Sequence, residues 1–262
     1  MIKSFQAFAL QSIGIINWGD DVFSSFEDSL VHNQFILQEN DVVVITSKVI
    51  TMQQKAAILL SEIIPSEKAI KLGEEAKLDP RVAELVLQES NNQVYGCVFH
   101  SILAKTEYGL SANAGIDLSN APDGFALLLP RNPDKEAEKI RQKIFDKYKV
   151  KVAVLIIDSR TIPLKRGTTA VALGVSGMDP IVDERGKKDL YGYTMTITTR
   201  AIADNLASAA NMIMGETNER TPFGVIRGFE YTIAENVSMK STLMPEDQCI
   251  YFGPFMKTYT RD

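Results

Sequence analysis

Residues 152–160 read Val-Ala-Val-Leu-Ile-Ile-Asp-Ser-Arg. Val152 to Ile157 is a short apolar run rich in β-branched side chains, the pattern of a strand, and it is the strongest such signal in the chain. It ends on Asp158, an acid where a rigid strand end opens to a cleft. Working outward, Val42 to Ile45 is a second continuous β-branched run, read as a buried strand with Ser47 and Lys48 at its carboxyl end. Ser4 to Leu10, Tyr95 to Ala104, Ala126 to Leu129, Thr168 to Val175, Tyr193 to Thr199 and Phe223 to Arg227 are further strand candidates. Val22, Phe23, Phe26 and Leu30 fall at helical spacing. Met52 to Ile64 reads as a helix or helical turn ending before Pro65, and Ser66 to Leu72, Arg81 to Glu89 behind Asp79-Pro80, and Ile202 to Met214 before Gly215 read as further helices. Pro133 to Tyr148 is amphipathic, with Ile140 and Ile144 on its apolar stripe and Asp134 as the expected N-cap. Strands and helices mix without a βαβ rhythm, so the fold class is α+β and not a doubly wound sheet. No linker or repeat divides the chain, which reads as one domain spanning 1–262.

The composition narrows the function classes. The 262 residues are 45% hydrophobic and 23% charged, which is globular and excludes disorder, collagen and coiled coil. No apolar run approaches the roughly 18 residues of a membrane helix. The formal charge of −5 lacks the basic surplus of a duplex nucleic-acid binder. Two cysteines, Cys97 and Cys249, make no disulfide framework, and the N-terminus carries no signal-peptide pattern, so a cytoplasmic protein is expected. Two histidines, His32 and His100, are too few for a histidine-based zinc site, so any metal would be held by oxygen.

Four segments place polar groups beside small residues at element ends. Asn113-Ala-Gly-Ile-Asp-Leu-Ser-Asn120 puts Asp117 and Asn120 three apart. Asp158-Ser159 follows the strongest strand, Gly215-Glu216 closes a helix, and Ser47-Lys48 follows the Val42–Ile45 strand. Singly, each is equally a turn, cap or solvated residue. Together, Asp117, Asp158 and Glu216 supply three oxygen ligands from separate segments, suited to two hard cations with phosphate between them. No G-x-x-x-x-G-K-[ST], G-x-G-x-x-G or G-x-S-x-G occurs, so any nucleotide site is not a P-loop.

These motifs resemble the coenzyme F420-0:γ-glutamyl ligase family from about Ile13 to Gly228. Carrying the resemblance are Gly19-Asp20-Asp21, VVVITSKVIT at 42–51, NAGIDLSN at 113–120, LLLPRNPDKEAEKIR at 127–141 and the Asp158 strand. RGTTAVALGVSG at 166–177, RGKKDLYG at 185–192, ADNLASAANMIMGE at 203–216 and Val225 to Gly228 continue it. The resemblance implies an intertwined, mixed-sheet α+β homodimer. It implies a GTP-dependent ligase that adds L-glutamate to a γ-carboxylate of the F420-0 type through an acyl phosphate. Two magnesium or manganese ions, and potassium as a monovalent ion, go with it. By motif, Asp117 and Asp158 fall on ligands of the first metal, and Ser159 and Glu216 on those of the second; the three acids are the catalytic set. Gln11, Ser12, Ile13, Gly14, Ser47, Lys48, Asn120, Met214, Gly215 and Thr217 fall on nucleotide-contacting positions. Charge and position mark Arg166 for phosphate and Arg227 for a carboxylate, bound bidentately. Met52 stands where the family usually has lysine, and Gln54 where it usually has glutamate. Two alternatives stay open: a folate-type γ-glutamyl ligase of the same family, and a nucleotide- and metal-binding homologue without turnover.

Overall fold

The computed structural model describes residues 3–256; residues 1–2 and 257–262, the ends of the expected single domain, lie outside the described residues. Strand β1 (Gln6–Leu10) is followed by helix α1 (Val22–His32), β2 (Val42–Thr46), α2 (Ser47–Gln53) and β3 (Ala57–Leu59). Helices α3 (Glu67–Ala76) and α4 (Pro80–Glu89) precede β4 (Val94–Val98), β5 (Ser101–Thr106), β6 (Gly109–Ala112) and β7 (Phe125–Leu127). Next come α5 (Pro133–Tyr148), β8 (Ala153–Thr161), β9 (Thr168–Met178), β10 (Ile181–Asp183) and β11 (Thr199–Ala201). Then follow α6 (Ile202–Met214), β12 (Phe223–Arg227), β13 (Ile233–Ala234) and α7 (Gly253–Met256).

The main sheet has the order β1-β12-β2-β8-β9-β13. Its pairs are antiparallel except β2 with β8, which run parallel from Val42 beside Ala153 to Thr46 beside Ile157. The α+β expectation with a mixed sheet is met. Val42 to Ile45 and Val154 to Ile156 are wholly buried because the sheet is covered on both faces, which is why these runs are continuous instead of alternating. One face packs Val43, Ile45, Val154 and Ile156 against α1 and α5, with Phe26 edge-on to Phe223 at 5.3 Å. The other packs Val42, Val44, Leu155 and Ile157 against Ala203, Leu206, Ala207 and Ala210 of α6. A third cluster joins α3 and α4 to the small sheet β4-β5-β6.

Several sequence readings are corrected. Met52 to Ile64 is not one helix: α2 starts five residues earlier and ends near Lys55, which has φ +55°, and Ala57–Leu59 then pairs with β7. An apolar run that short has no preferred period, and the pairing partner decides it. Tyr95 to Ala104 is a hairpin, broken at His100 with φ +60°. Tyr193 to Thr199 alternates but meets residues 184–189 only through an isolated bridge (Lys188 with Thr194) and scattered backbone bonds, so only Thr199 enters a strand, β11. Asp134 does not cap α5. Asn132 occupies the cap and Pro133 the first turn, while the Asp134 carboxylate accepts from Val175 N (2.9 Å) and Ser238 Oγ (2.6 Å).

Candidate functional site

The parallel pairing of β2 with β8 builds the centre of the site. With Thr46 level with Ile157, the next residues, Ser47 and Asp158, emerge side by side. Ser47 lies just past the end of β2 and Asp158 within β8, which does not end at the acid as the sequence suggests but stays paired with β9 to Thr161. That edge of a sheet is where ligands bind in open α/β sheets, because loops and helices diverge there. Ser47 Oγ donates to Asp158 Oδ1 at 2.6 Å. Lys48, one residue into α2, reaches across to the segment after β6: its Nζ donates to Asp117 Oδ2 (2.5 Å) and Ser119 Oγ (3.0 Å). Asp117 is held by a backbone bridge to Leu127 and accepts from Ser119 N at 2.7 Å.

The opposite wall comes from the end of α6. Gly215 has φ +80° and ψ −179°, a conformation open to glycine alone, and a Cβ there would meet the Glu219 carboxylate at 2.3–2.7 Å. This turn aims Glu216 at β8, where its Oε1 accepts from Ser159 Oγ (2.6 Å) and Asn211 Nδ2 (2.8 Å). Successive strand residues face opposite sides, so Asp158 and Ser159 serve the two halves of the site separately. Asn120 Nδ2 donates to Thr217 O at 3.0 Å and joins the two loops. Between these walls lies a cleft of about 650 Å³ whose lining includes Ser12, Ser47, Lys48, Asn120, Asp158, Ser159, Met214, Gly215, Glu216 and Thr217.

Charge is unevenly balanced across it. Burial pushes the Asp117 carboxyl up, but the bonds from Lys48 and Ser119 outweigh that and hold it below the ordinary carboxylate range. Burial pushes Asp158 up and the Asp117 charge adds to this; the Ser47 hydroxyl and the charges of Arg160 and Lys48 oppose it, and the net direction is upward. An oxygen-only donor set with one carboxylate short of positive charge suits a hard divalent cation. Among the described residues no group of three or more His, Cys, Asp or Glu side chains forms a ready metal cage. Asp117 with Asp158, and Glu216 with Ser159, would each need oxygens from a bound ligand to complete a coordination sphere.

Not every expected residue enters the cleft. Of the turn Gln11 to Gly14, Ser12 lines it, with Oγ bonded to Gly14 O at 2.7 Å; Ile15, Ile16 and Asn17 line it in place of Gln11, Ile13 and Gly14. Gln11 is instead bonded through its backbone to Asn33. Arg166 is exposed on the turn between β8 and β9, outside the lining. Arg227 is corrected outright. It lies at the far end of β12 and grips the fully buried Asp41 through Nε (2.8 Å) and Nη2 (2.7 Å), so its fork is already filled. Met52 lines the cleft, whereas Gln54 turns away to the Arg131 backbone (2.8 and 2.9 Å). Sequence reasoning missed Asn211, Glu219 and Arg160. Asn211 carried a legible signal, an amide in an alanine-rich helix just over one turn before Glu216.

No helix of the described residues is long and apolar enough to cross a membrane. Residues 11–228 match the family described as F420-0:Gamma-glutamyl ligase. The chain is 34% identical to the coenzyme F420:L-glutamate ligase of Methanothermobacter thermautotrophicus over 247 residues, 93% of this chain and 97% of that one. It is 39% identical to the protein of that name from Methanopyrus kandleri (81% and 82% covered) and 40% to that of Methanococcus maripaludis (74% and 78%). With parts of four of the motifs that carry the resemblance lining one cleft and the family's match spanning most of the chain, the protein belongs to the F420-0:gamma-glutamyl ligase family.

Proposed function

We propose that the chain is a cytoplasmic, GTP- and divalent-metal-dependent ligase that joins the amine of L-glutamate to a γ-carboxylate of the F420-0 type. The observation that carries this reading is that Asp158, Ser159 and Glu216 line one cleft of about 650 Å³ together with Lys48, whose Nζ donates to Asp117 just outside that lining. A carboxylate is a poor acyl donor because oxide is a poor leaving group. Transfer of the γ-phosphoryl group of GTP makes an acyl phosphate, the glutamate amine attacks it, and phosphate departs. Magnesium or manganese ions at Asp117/Asp158 and Ser159/Glu216 would neutralise phosphate charge, the dominant need of phosphoryl transfer. Lys48 is placed to contact phosphate once a cation takes over its Asp117 partner. Glu216, fixed by Ser159 and Asn211, is preorganised as an oxygen ligand and donates no proton. The same reading includes a homodimer, supported by Leu190, Tyr191, Tyr193 and Ile197, which stand 62–99% exposed on one stretch.

The test supplies GTP, Mn²⁺, L-glutamate and either F420-0 or a folate and looks for a product heavier by one glutamyl unit. Product with F420-0 that disappears on chelation supports the reading. Product with the folate alone reassigns the acceptor, and metal-dependent GTP binding without any product reassigns the chain as a homologue without turnover.

A further inference from the structure

Arg160 is an anomaly that the proposed reaction leaves unexplained. It is largely buried, yet Nε and Nη2 have no hydrogen-bond partner, an arrangement that costs free energy unless something else fixes the side chain. What fixes it is Nη1, which donates to the carbonyls of Tyr108 (2.9 Å) and Leu110 (3.0 Å) across the turn between β5 and β6. Arg160 stands two residues after Asp158 in unbroken register with β9, so both project from the same face of β8. Beyond Leu110 the chain runs through Asn113, whose Oδ1 accepts from Ile102 N at 2.8 Å, to Asp117. We propose that Arg160 is a positioning residue that clamps the Asp158 strand to the hairpin leading to Asp117 and so sets the spacing of the two carboxylates.

Chemistry favours arginine for this task. The rigid planar fork fixes the direction of Nη1 while the delocalised charge faces carboxylates elsewhere; a lysine ammonium is a point charge on a flexible stem, free to turn away from the hairpin. The charges of Asp158 and Asp204 both act on Arg160 and oppose the effect of its burial. The carboxylates Asp117 and Asp158 repel one another, so without a clamp the hairpin relaxes outward.

The inference rests on the cation reading above, and its test separates the two. In the metal-free protein, Arg160→Met is expected to speed amide exchange over residues 109–119. In the same variant, Mn²⁺ affinity measured by calorimetry is expected to fall about tenfold, the usual cost of losing a group that orients a ligand. The melting temperature falls too, because Asp204 loses its facing charge. Adding Asp204→Asn is expected to restore the melting temperature without restoring Mn²⁺ affinity, since a merely structural role would restore both together. Unchanged exchange, or Mn²⁺ affinity recovered along with stability, overturns the proposal. If the unmodified protein binds no Mn²⁺, the cation reading fails, and the exchange result alone then decides the clamp. If Arg160→Met does not fold, Arg160→Lys carries the same comparison, with faster exchange expected despite the retained charge.

Discussion

Replacing Arg227 by Met tests the correction that moved this residue out of the site. Asp41 is wholly shielded from solvent, and three donors satisfy it: Arg227 Nε at 2.8 Å, Arg227 Nη2 at 2.7 Å and Gln38 N at 2.8 Å. The guanidinium also lies over Phe35 and Phe8, with centroids 4.9 and 5.7 Å away, and Nη2 donates to Ile36 O. Removing the guanidinium leaves a buried carboxylate with one donor, a loss of about 3–5 kcal/mol. At about 2 cal/mol/K per residue, that lowers the melting temperature of a 262-residue chain by roughly 5–9 °C. Thermal melts of Arg227→Met, Asp41→Asn and the double variant, followed by circular dichroism, read the effect. The double variant should recover much of the loss, because no charge is then left unpaired. Michaelis constants for acceptor and glutamate should stay within about twofold, a change worth less than ~0.5 kcal/mol. A variant that melts normally but binds acceptor tenfold more weakly would refute the reasoning and return Arg227 to the substrate.

Lys48→Met should behave oppositely. Its bond to Asp117 is partly exposed, so stability falls by less than ~1 kcal/mol, while GTP affinity measured by calorimetry drops sharply; intact affinity would contradict its place in the site. Gly174→Ala would press a Cβ to 2.5 Å from the carbonyl carbon of Pro133 and 2.8 Å from Asp134 N, all unyielding backbone. Its melt should show a loss of ~1–3 kcal/mol from overpacking, and an unchanged melt would mean that α5 sits elsewhere. Burial pushes Asp204 above the ordinary carboxylate range, against the Ala172 N–H and the Arg160 charge. The unfolded chain releases that proton first, so in the metal-free protein its contribution makes stability fall as pH rises from the ordinary carboxylate value to the raised one. Asp204→Asn should flatten that part of a melting-temperature profile, and an unaltered slope would show that the carboxyl is not desolvated.

Residues 202–214 and 223–227 were delimited from sequence to the residue, because alanine-rich helical spacing closed by glycine and a β-branched run behind proline are local signals. The Tyr193 to Thr199 alternation misled because a strand needs a continuous ladder, whereas this stretch meets residues 184–189 only through scattered backbone bonds and one isolated bridge. Asp134 misled because its carboxylate is drawn away to β9 and Ser238, partners remote in the chain. Within the site, the sequence marked the acids only as a set, since each alone reads equally as a turn, cap or solvated residue, and Asp158 in fact lies inside β8. It could not say which charges are spare. Arg227 and Arg160 are both arginines at the ends of strands, yet one is spent on buried Asp41 and the other on two hairpin carbonyls. Local patterning thus determined the elements and the kinds of ligand. The parallel register of β2 with β8 and the sharp turn at Gly215 decided which of them meet, because those contacts join residues more than a hundred positions apart (Ser47 with Asp158) or fifty-seven apart (Ser159 with Glu216).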